Sequence, residues 1–507
     1  MWNRRNLLRA GGATVAGGAA VAVLPGISHG STGRRRRDRW ETLRGRLTGR
    51  LVLPSDEGYD LSRQSHYAMY DTVRPQAVAQ CETTADVQEC VRFATEQGIP
   101  LRVRSGGHNF AGWSIGEGLV VDLFRMKNVS VTAGGSTVHV GPGSTSIETI
   151  SALEPHGLQL PTGTCPTVAP GGFLTGGGIG HQTRKFGLGS DRLVSARVVL
   201  ADGRAVLASE REHPDLFWAL AGGGGGNYGI VTDFELRPVD APSMVFYQSM
   251  WSVDRAPEVL AAWQRWIADA PDDLGSMIAL VRPPGGAAPL VAVSGGYLGT
   301  PDAADAVLAG LADQAGFPPL FSSAEPLAYG AAMRRVFQCD VLTTMQCQRE
   351  GTNPDAQLPR GGFQQDAFRL FRRPLTVAEA ESVVSAWAAG ADDGQSRVVQ
   401  GMALGGRFGR TAARDTAFWH RDAGYVLGFV SQHYAPTAPE RETAAAWVRA
   451  GGAVIDPLSS GGYVNFPSTE LRNWQTKYYG GNYPRLRSVK RSYDFSNVFR
   501  HPRSVGS

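Results

Sequence analysis

The chain has 507 residues, 42% hydrophobic and 19% charged, with a formal charge of only +4. This supports two or three folded domains and excludes a disordered chain or a polyanion-binding protein, because much of the net charge sits in one run, Arg34–Arg37. Glycine, at 64 residues, is nearly twice its usual share, which points to tight turns or to backbone packed against a ligand.

The N-terminus carries Arg4 and Arg5, then Leu7, Leu8 and Arg9, then a weakly apolar run from Ala10 to Pro25. The run is too short to span a bilayer and resembles a twin-arginine (Tat) signal, an address read by the Tat export machinery rather than an anchor. A signal over 1–32 implies export in folded form and an extracytoplasmic location. Of the five cysteines, Cys81/Cys90 and Cys339/Cys347 form two local pairs compatible with disulfides outside the cytosol, and Cys165 is left for another task.

Residues 33–72 read as a basic segment leading into the first domain. From there short β-rich runs alternate with helical patterns. Strands are expected at Pro75–Gln80, Leu101–Arg104, Gly118–Leu123, Thr137–Val140, Leu193–Leu200 and Ala205–Ala208. Helices are expected at Thr84–Gly98 and Ser146–Leu153. Pro238–Pro242 marks a boundary, so a first domain is expected over 73–240 and a second over 241–460. The second alternates strands such as Val245–Trp251, Met277–Val281 and Leu290–Leu298 with helices such as Pro257–Ala268, Ala303–Ala312 and Val377–Ala389. An aromatic-rich segment, 461–507, closes the chain. The fold class is α+β.

Three glycine-rich loops stand out. The first is Arg104-Ser105-Gly106-Gly107-His108-Asn109. The second runs from Gly163-Thr164-Cys165-Pro166-Thr167-Val168 to Thr175-Gly176-Gly177-Gly178-Ile179-Gly180-His181. The third is Gly222 to Gly226 followed by Asn227-Tyr228-Gly229-Ile230-Val231. Side-chain-free loops let backbone N–H groups converge on an anion, and together with an isolated His and an isolated Cys they favour a large phosphate-bearing cofactor. No Gly-x-Gly-x-x-Gly opens a helix with an acid downstream, and no Walker A sequence occurs, so a nicotinamide site and a nucleotide-hydrolysing site are disfavoured.

From about Pro75 to Phe499 these segments resemble the berberine-bridge-enzyme-like FAD-linked oxidases of the vanillyl-alcohol-oxidase fold. That family has a G-G-H loop and, near sixty residues on, a C-P-T-V loop; here His108 and Cys165 are 57 apart. The resemblance implies a two-part FAD-binding domain, to which the C-terminal segment returns, and a substrate domain with an antiparallel sheet backed by helices. It implies bicovalent FAD, with His108 on the flavin 8α-methyl and Cys165 on ring carbon 6. It further implies cofactor contacts from Arg104, Ser105, Gly106, Gly107, Asn109, Gly112, Leu123, Gly176, Gly177, Gly178, Gly180, His181, Gly229, Ile230 and Val231, and from Tyr479 and Asn482 in the tail. Val168, three positions after the cysteine, implies reaction with dioxygen. Tyr463, in Tyr463-Val464-Asn465-Phe466-Pro467-Ser468, matches the tyrosine read as the base, with Phe466 and Ser468 departing from the family's Y-V-N-Y-P-D.

The expected activity is oxidation of an alcohol or amine carbon of a small natural product, such as an antibiotic, with peroxide formed from O2. The alternatives are an oligosaccharide oxidase and a non-catalytic flavin-containing binding protein. Phe418-Trp419-His420-Arg421-Asp422 is read as structural, on the substrate-domain sheet. Met402–Phe408 and Trp474 are candidate pocket walls. Gly112-Trp113-Ser114-Ile115-Gly116 mimics a hydrolase elbow, but a strand rather than a helix is expected after it. His139, His156 and His213 lack ligand spacing, so no metal site is expected.

Overall fold

The computed structural model describes residues 39–390 and 393–506. The export signal expected at 1–32 lies outside them. The chain divides into a unit of residues 1–45, of which 39–44 are helical, and a unit of residues 46–507, which holds everything below.

Three sheets carry the larger unit. A four-stranded sheet is ordered Arg50–Val52, Ala77–Gln80, Leu119–Asp122, Leu101–Arg104, with the last three strands parallel. Parallel strands that follow one another in the chain need a crossover, and helix Thr84–Glu96 supplies it between Ala77–Gln80 and Leu101–Arg104, which flank Leu119–Asp122. Its start is fixed by Thr83, whose hydroxyl accepts the Asp86 N–H at 3.1 Å while the Asp86 carboxylate takes the Thr83 N–H at 3.1 Å. A five-stranded antiparallel sheet follows, ordered Val129–Val131, Val138–Val140, Ile230–Leu236, Leu193–Val199, Ala205–Ser209. Helix Ser146–Leu153 has the bounds expected from its sequence, again with a capping box, Thr145 and Glu148.

The third sheet has seven antiparallel strands. Its order is Phe321–Ala328, Ser243–Ser252, Leu290–Tyr297, Leu274–Arg282, Arg397–Ala403, Tyr425–His433, Phe363–Phe371. Helices Ala256–Asp269, Pro301–Ala315, Val377–Ala388 and Ala438–Ile455 cover one face, where Trp263, Trp387 and Trp447 pack on Ile278, Val293, Val399 and Phe429. The alternation of side chains sends Phe368, Met402 and Val430 to the other face, where they meet Ile179, Phe418 and Tyr463. The antiparallel sheet backed by helices is therefore present. The Phe418–Asp422 run is not on this sheet: it forms a loop before strand Tyr425–His433, pinned by a two-bond pair of Arg421 with Asp191 at 2.7 and 2.8 Å.

Cys339 and Cys347 form a disulfide, with Cα atoms 5.8 Å apart. Cys81 and Cys90 are buried thiols whose sulfurs stand 3.9 Å apart, in hydrogen-bond contact and not joined as a disulfide. Replacing both Cys339 and Cys347 by serine is expected to cost about 2–3 kcal/mol in chemical denaturation, the loop-closure value for so short a ring.

Candidate active site

A cavity of about 420 Å3 opens between the glycine loops and the helix-free face of the seven-stranded sheet. Its size is that of a small-molecule site. One side is loop backbone: Ser105, Gly106, Gly107, His108 and Asn109, then Cys165, Val168, Gly171 and Gly172, then Gly224–Gly226 and Gly229–Val231, with Leu123 between them. The opposite wall is side chains on neighbouring strands, Gln364, Phe368, Gln400, Met402, Val430 and Gln432, with Tyr463 and Phe466 closing one end.

The loops interlock. A Cβ on Gly106 would stand 2.9 Å from the Ala169 nitrogen, so only glycine lets the first loop lie against the second. His108 Nε2 lies 2.8 Å from the Thr167 hydroxyl, and the Cys165 sulfur lies 3.7 Å from that same hydroxyl. Burial pushes the His108 imidazole well below its ordinary pKa, and the neighbouring His66 and Arg349 push the same way. Burial also raises the Cys165 thiol, while the amides of Thr167 and Val168 and the Thr167 hydroxyl work against that rise. A neutral imidazole and an amide-flanked sulfur thus face one cavity.

Tyr463 is enclosed. The N–H groups of Gly178 and Ile179 and the Asn465 side-chain amide all donate to its phenol oxygen, at 3.0, 3.2 and 3.1 Å. Burial lifts its pKa to about 12 against the pull of these donors. Opposite, Gln432 donates to Gln364 at 2.6 Å, and Gln364 donates to Asp366 at 3.4 Å. The Asp366 Oδ1 atom is buried with no partner, and burial raises this carboxyl to about 7. Asp366 shares the cavity-facing side of its strand with Gln364 and Phe368.

Several residues named from the sequence lie away from the cavity lining. Arg104 is buried and paired with Asp122 at 2.7 Å. Gly112 packs on the Tyr70 ring. Gly176, Gly177, Gly178 and Gly180 pack on Asn465, Phe418, Phe173 and the Thr162 carbonyl, and the His181 backbone packs on Gly275. Tyr479 donates to the Gly223 carbonyl, and Asn482 donates to the carbonyls of Ala413 and Thr416. These residues brace the loops. Of the candidate walls, Met402 lines the cavity, whereas Phe408 is in the core and Trp474 packs among Tyr478, Tyr479 and Tyr483. The sequence reading missed His66, Thr167, Gln364, Asp366, Gln400 and Gln432.

The cavity is built for an anionic, extended ligand. Among the hydrogen bonds of the described residues, none is donated by the backbone N–H of Gly106, Gly107 or His108. Such donors beside a cavity await an acceptor. Arg102 and Arg500 add positive charge, and Trp113 stacks on His501 at 4.8 Å, presenting flat surfaces at the same cavity. A dinucleotide with a pyrophosphate and two ring systems fits this set.

Residues 75–209 match the FAD binding domain family, and residues 462–506 match the family described as berberine and berberine like. FAD-linked oxidoreductase YgaK of Bacillus subtilis is 31% identical over 465 residues, 91% of this chain and 97% of that protein. (R)-6-hydroxynicotine oxidase of Paenarthrobacter nicotinovorans is 30% identical, with 90% and 96% of the two chains covered. The chain belongs to the berberine-bridge-enzyme-like FAD-linked oxidoreductases. As a member of that family it is an FAD-dependent oxidoreductase, which removes the non-catalytic binding protein from consideration. The family fold is seen in Physcomitrella patens BBE-like 1, whose structure superposes with a TM-score of 0.82 at 23% identity, covering 92% of this chain and 98% of that one. No helix among the described residues is long and apolar enough to cross a membrane.

Proposed function

We propose that the protein is an exported oxidase in which FAD is tethered at both His108 and Cys165, acting on an alcohol or amine carbon of a small natural product. The observation that carries this reading is the meeting of these two side chains, 57 positions apart in the chain, on the single hydroxyl of Thr167. FAD held there would supply the hydride acceptor for the substrate carbon and the two-electron route to dioxygen, with hydrogen peroxide as product. The chain's part is to hold, orient and exchange a proton. Gly106 to His108 would receive the pyrophosphate, and Gly229 to Val231, Trp113 and His501 the adenine end. In keeping with the same reading, 73–240 with 461–507 would form the cofactor domain and 241–460 the substrate domain.

The substrate's proton goes to Tyr463 in this reading. Three N–H donors converge on its oxygen, which suits a phenolate better than a phenol holding its own hydrogen. A second reading, favoured by the unpartnered buried oxygen of Asp366, gives the proton to that carboxylate. The pH profile separates them. A carboxyl held near 7 must be deprotonated to act, so kcat/KM would rise with pH and level off above about 7. A phenol held near 12 gives no inflection there. Asp366→Asn is expected to abolish an inflection near 7 and lower kcat by about 10²–10⁴-fold if the carboxylate is the base. Tyr463→Phe is expected to lower kcat by a similar factor if the phenol is the base.

The amide row Gln432–Gln364–Asp366 favours a second substrate reading, an oligosaccharide, whereas Phe110, Phe368 and Phe466 favour an aromatic one. Peroxide release from common oligosaccharides, measured beside a panel of aromatic alcohols and amines, decides between them. The tethering itself is tested by acid precipitation: colour that stays with the protein supports it, and colour wholly in the supernatant sinks it.

A further inference from the structure

His66 lies in an irregular stretch between the short helix Tyr59–Ser62 and the turn at Ala68–Tyr70. Its ring lies nearly flat on the His108 ring, with centroids 3.9 Å apart and planes 23° apart. The contact is fixed from both sides. The His66 N–H donates to the Gly107 carbonyl at 3.1 Å, tying the segment to the loop that carries His108. Gly361 also packs against this ring: a Cβ there would stand 3.2 Å from His66 Nε2. His66 Nδ1 is buried and has no hydrogen-bond partner. The ring lines the same cavity as His108.

The surroundings are short of negative charge. Arg349, from the segment after the disulfide, donates to Gln64 and has no carboxylate in its hydrogen bonds. Arg360 is spent on Asp71, and Arg104 on Asp122. Cys165 and Thr167 face His108 from the second loop, and Asp366 lies across the site on the sheet beside Tyr67. An imidazolium at His108 would therefore sit against a second imidazole with arginines behind it, and burial with Arg349 and Arg360 holds His66 itself near 4.

We propose that His66 is a positioning residue for the tether at His108: its flat, neutral ring holds the His108 imidazole in one plane and uncharged, so that a nitrogen lone pair is available to form the bond. The proposal rests on the reading that FAD is tethered at His108. In the tethering step one imidazole N–H and one methyl C–H bond are replaced by one N–C bond. The two protons and two electrons released pass to dioxygen, the oxidant the enzyme already uses, as hydrogen peroxide. His66 takes no part in the new bond. It acts through the ring it stacks on.

The test uses full-length protein purified with its FAD, in a Cys165→Ala background, where His108 is the one tether left. Intact-mass measurement after denaturation gives the tethered fraction as a gain of one FAD less two hydrogens. Cys165→Ala alone is expected to be tethered almost fully, and equally so when produced at pH 6 or pH 8. Adding His66→Ala is expected to cut the tethered fraction at least tenfold. Adding His66→Phe, which keeps a flat neutral ring, is expected to restore most of it. Adding His66→Asp, which would draw a proton onto His108, is expected to make tethering fail at pH 6 and recover at pH 8. Tethering undiminished by His66→Ala overturns the proposal, as does a loss that His66→Phe fails to repair. His66→Ala with Cys165 intact should still carry FAD through its sulfur, which shows the fold is sound. No mass gain in Cys165→Ala itself would instead defeat the tethering reading.

Discussion

Replacing His108 and Cys165 together by alanine is expected, under the proposed double tether, to leave a protein that holds FAD only by mass action. With FAD tethered as proposed, the cofactor cannot leave the parent protein, so thermal stability should not depend on added FAD. In the double variant stabilisation follows the ratio of free FAD to its dissociation constant. It amounts to about 2.7 kcal/mol at a hundredfold excess over that constant and vanishes on dilution. Melting temperature measured against added FAD should be flat for the parent and rise for the variant. Turnover should also fall, by about 10²-fold, because a ring free to shift by about an ångström loses its alignment with the substrate. Either single variant should keep one tether, so its melting temperature should stay insensitive to FAD.

Lys490→Met is the second change of large expected effect. The Lys490 ammonium is buried beside the equally buried Asp494 carboxylate, at 2.6 Å, and it also donates to the carbonyls of Asn227 and Phe499. Asp494 in turn accepts the N–H groups of Val498 and Phe499. One ion pair thus ties helix Tyr483–Tyr493 to the end of the third glycine loop and to the strap that carries His501. Removing the cation leaves a buried carboxylate without its partner, at a cost of about 3–5 kcal/mol. Chemical denaturation should show that loss. Limited proteolysis should cut between Phe499 and Ser504 in the variant and spare the parent.

The loop side of the cavity was legible in the sequence because its chemistry is local. Gly-Gly-His and Cys-Pro-Thr-Val place a nucleophile beside residues without bulk. The sheet side was not legible. Gln364, Gln400 and Gln432 stand on three strands, and only the register of those strands, Gln364 against Gln432 for example, brings them over one cavity. None of the three strands was among the expected elements. Phe321–Ala328 was also missed, because Pro326 argues against a strand and is tolerated only at the sheet edge where it lies. His66 had no periodicity to mark it. The tail differs again. Tyr479 and Asn482 match a cofactor motif, yet their side chains bond to the backbones of Gly223, Ala413 and Thr416.

The two sides of the chamber are fixed by different forces, and this bears on how the protein can diversify. The loop side is set by backbone shape, where a single added methyl at Gly106 collides with its neighbour. The sheet side is set by side chains standing on strands in unbroken register. Positions 364, 368, 400, 402, 430 and 432 can therefore vary without shifting the loop backbone, while 368, 402 and 430 also pack on Tyr463 and 364 bonds to Asp366. Selectivity is free to drift there over evolutionary time, and a laboratory library confined to those six sites would sample new reactants on an unchanged loop backbone.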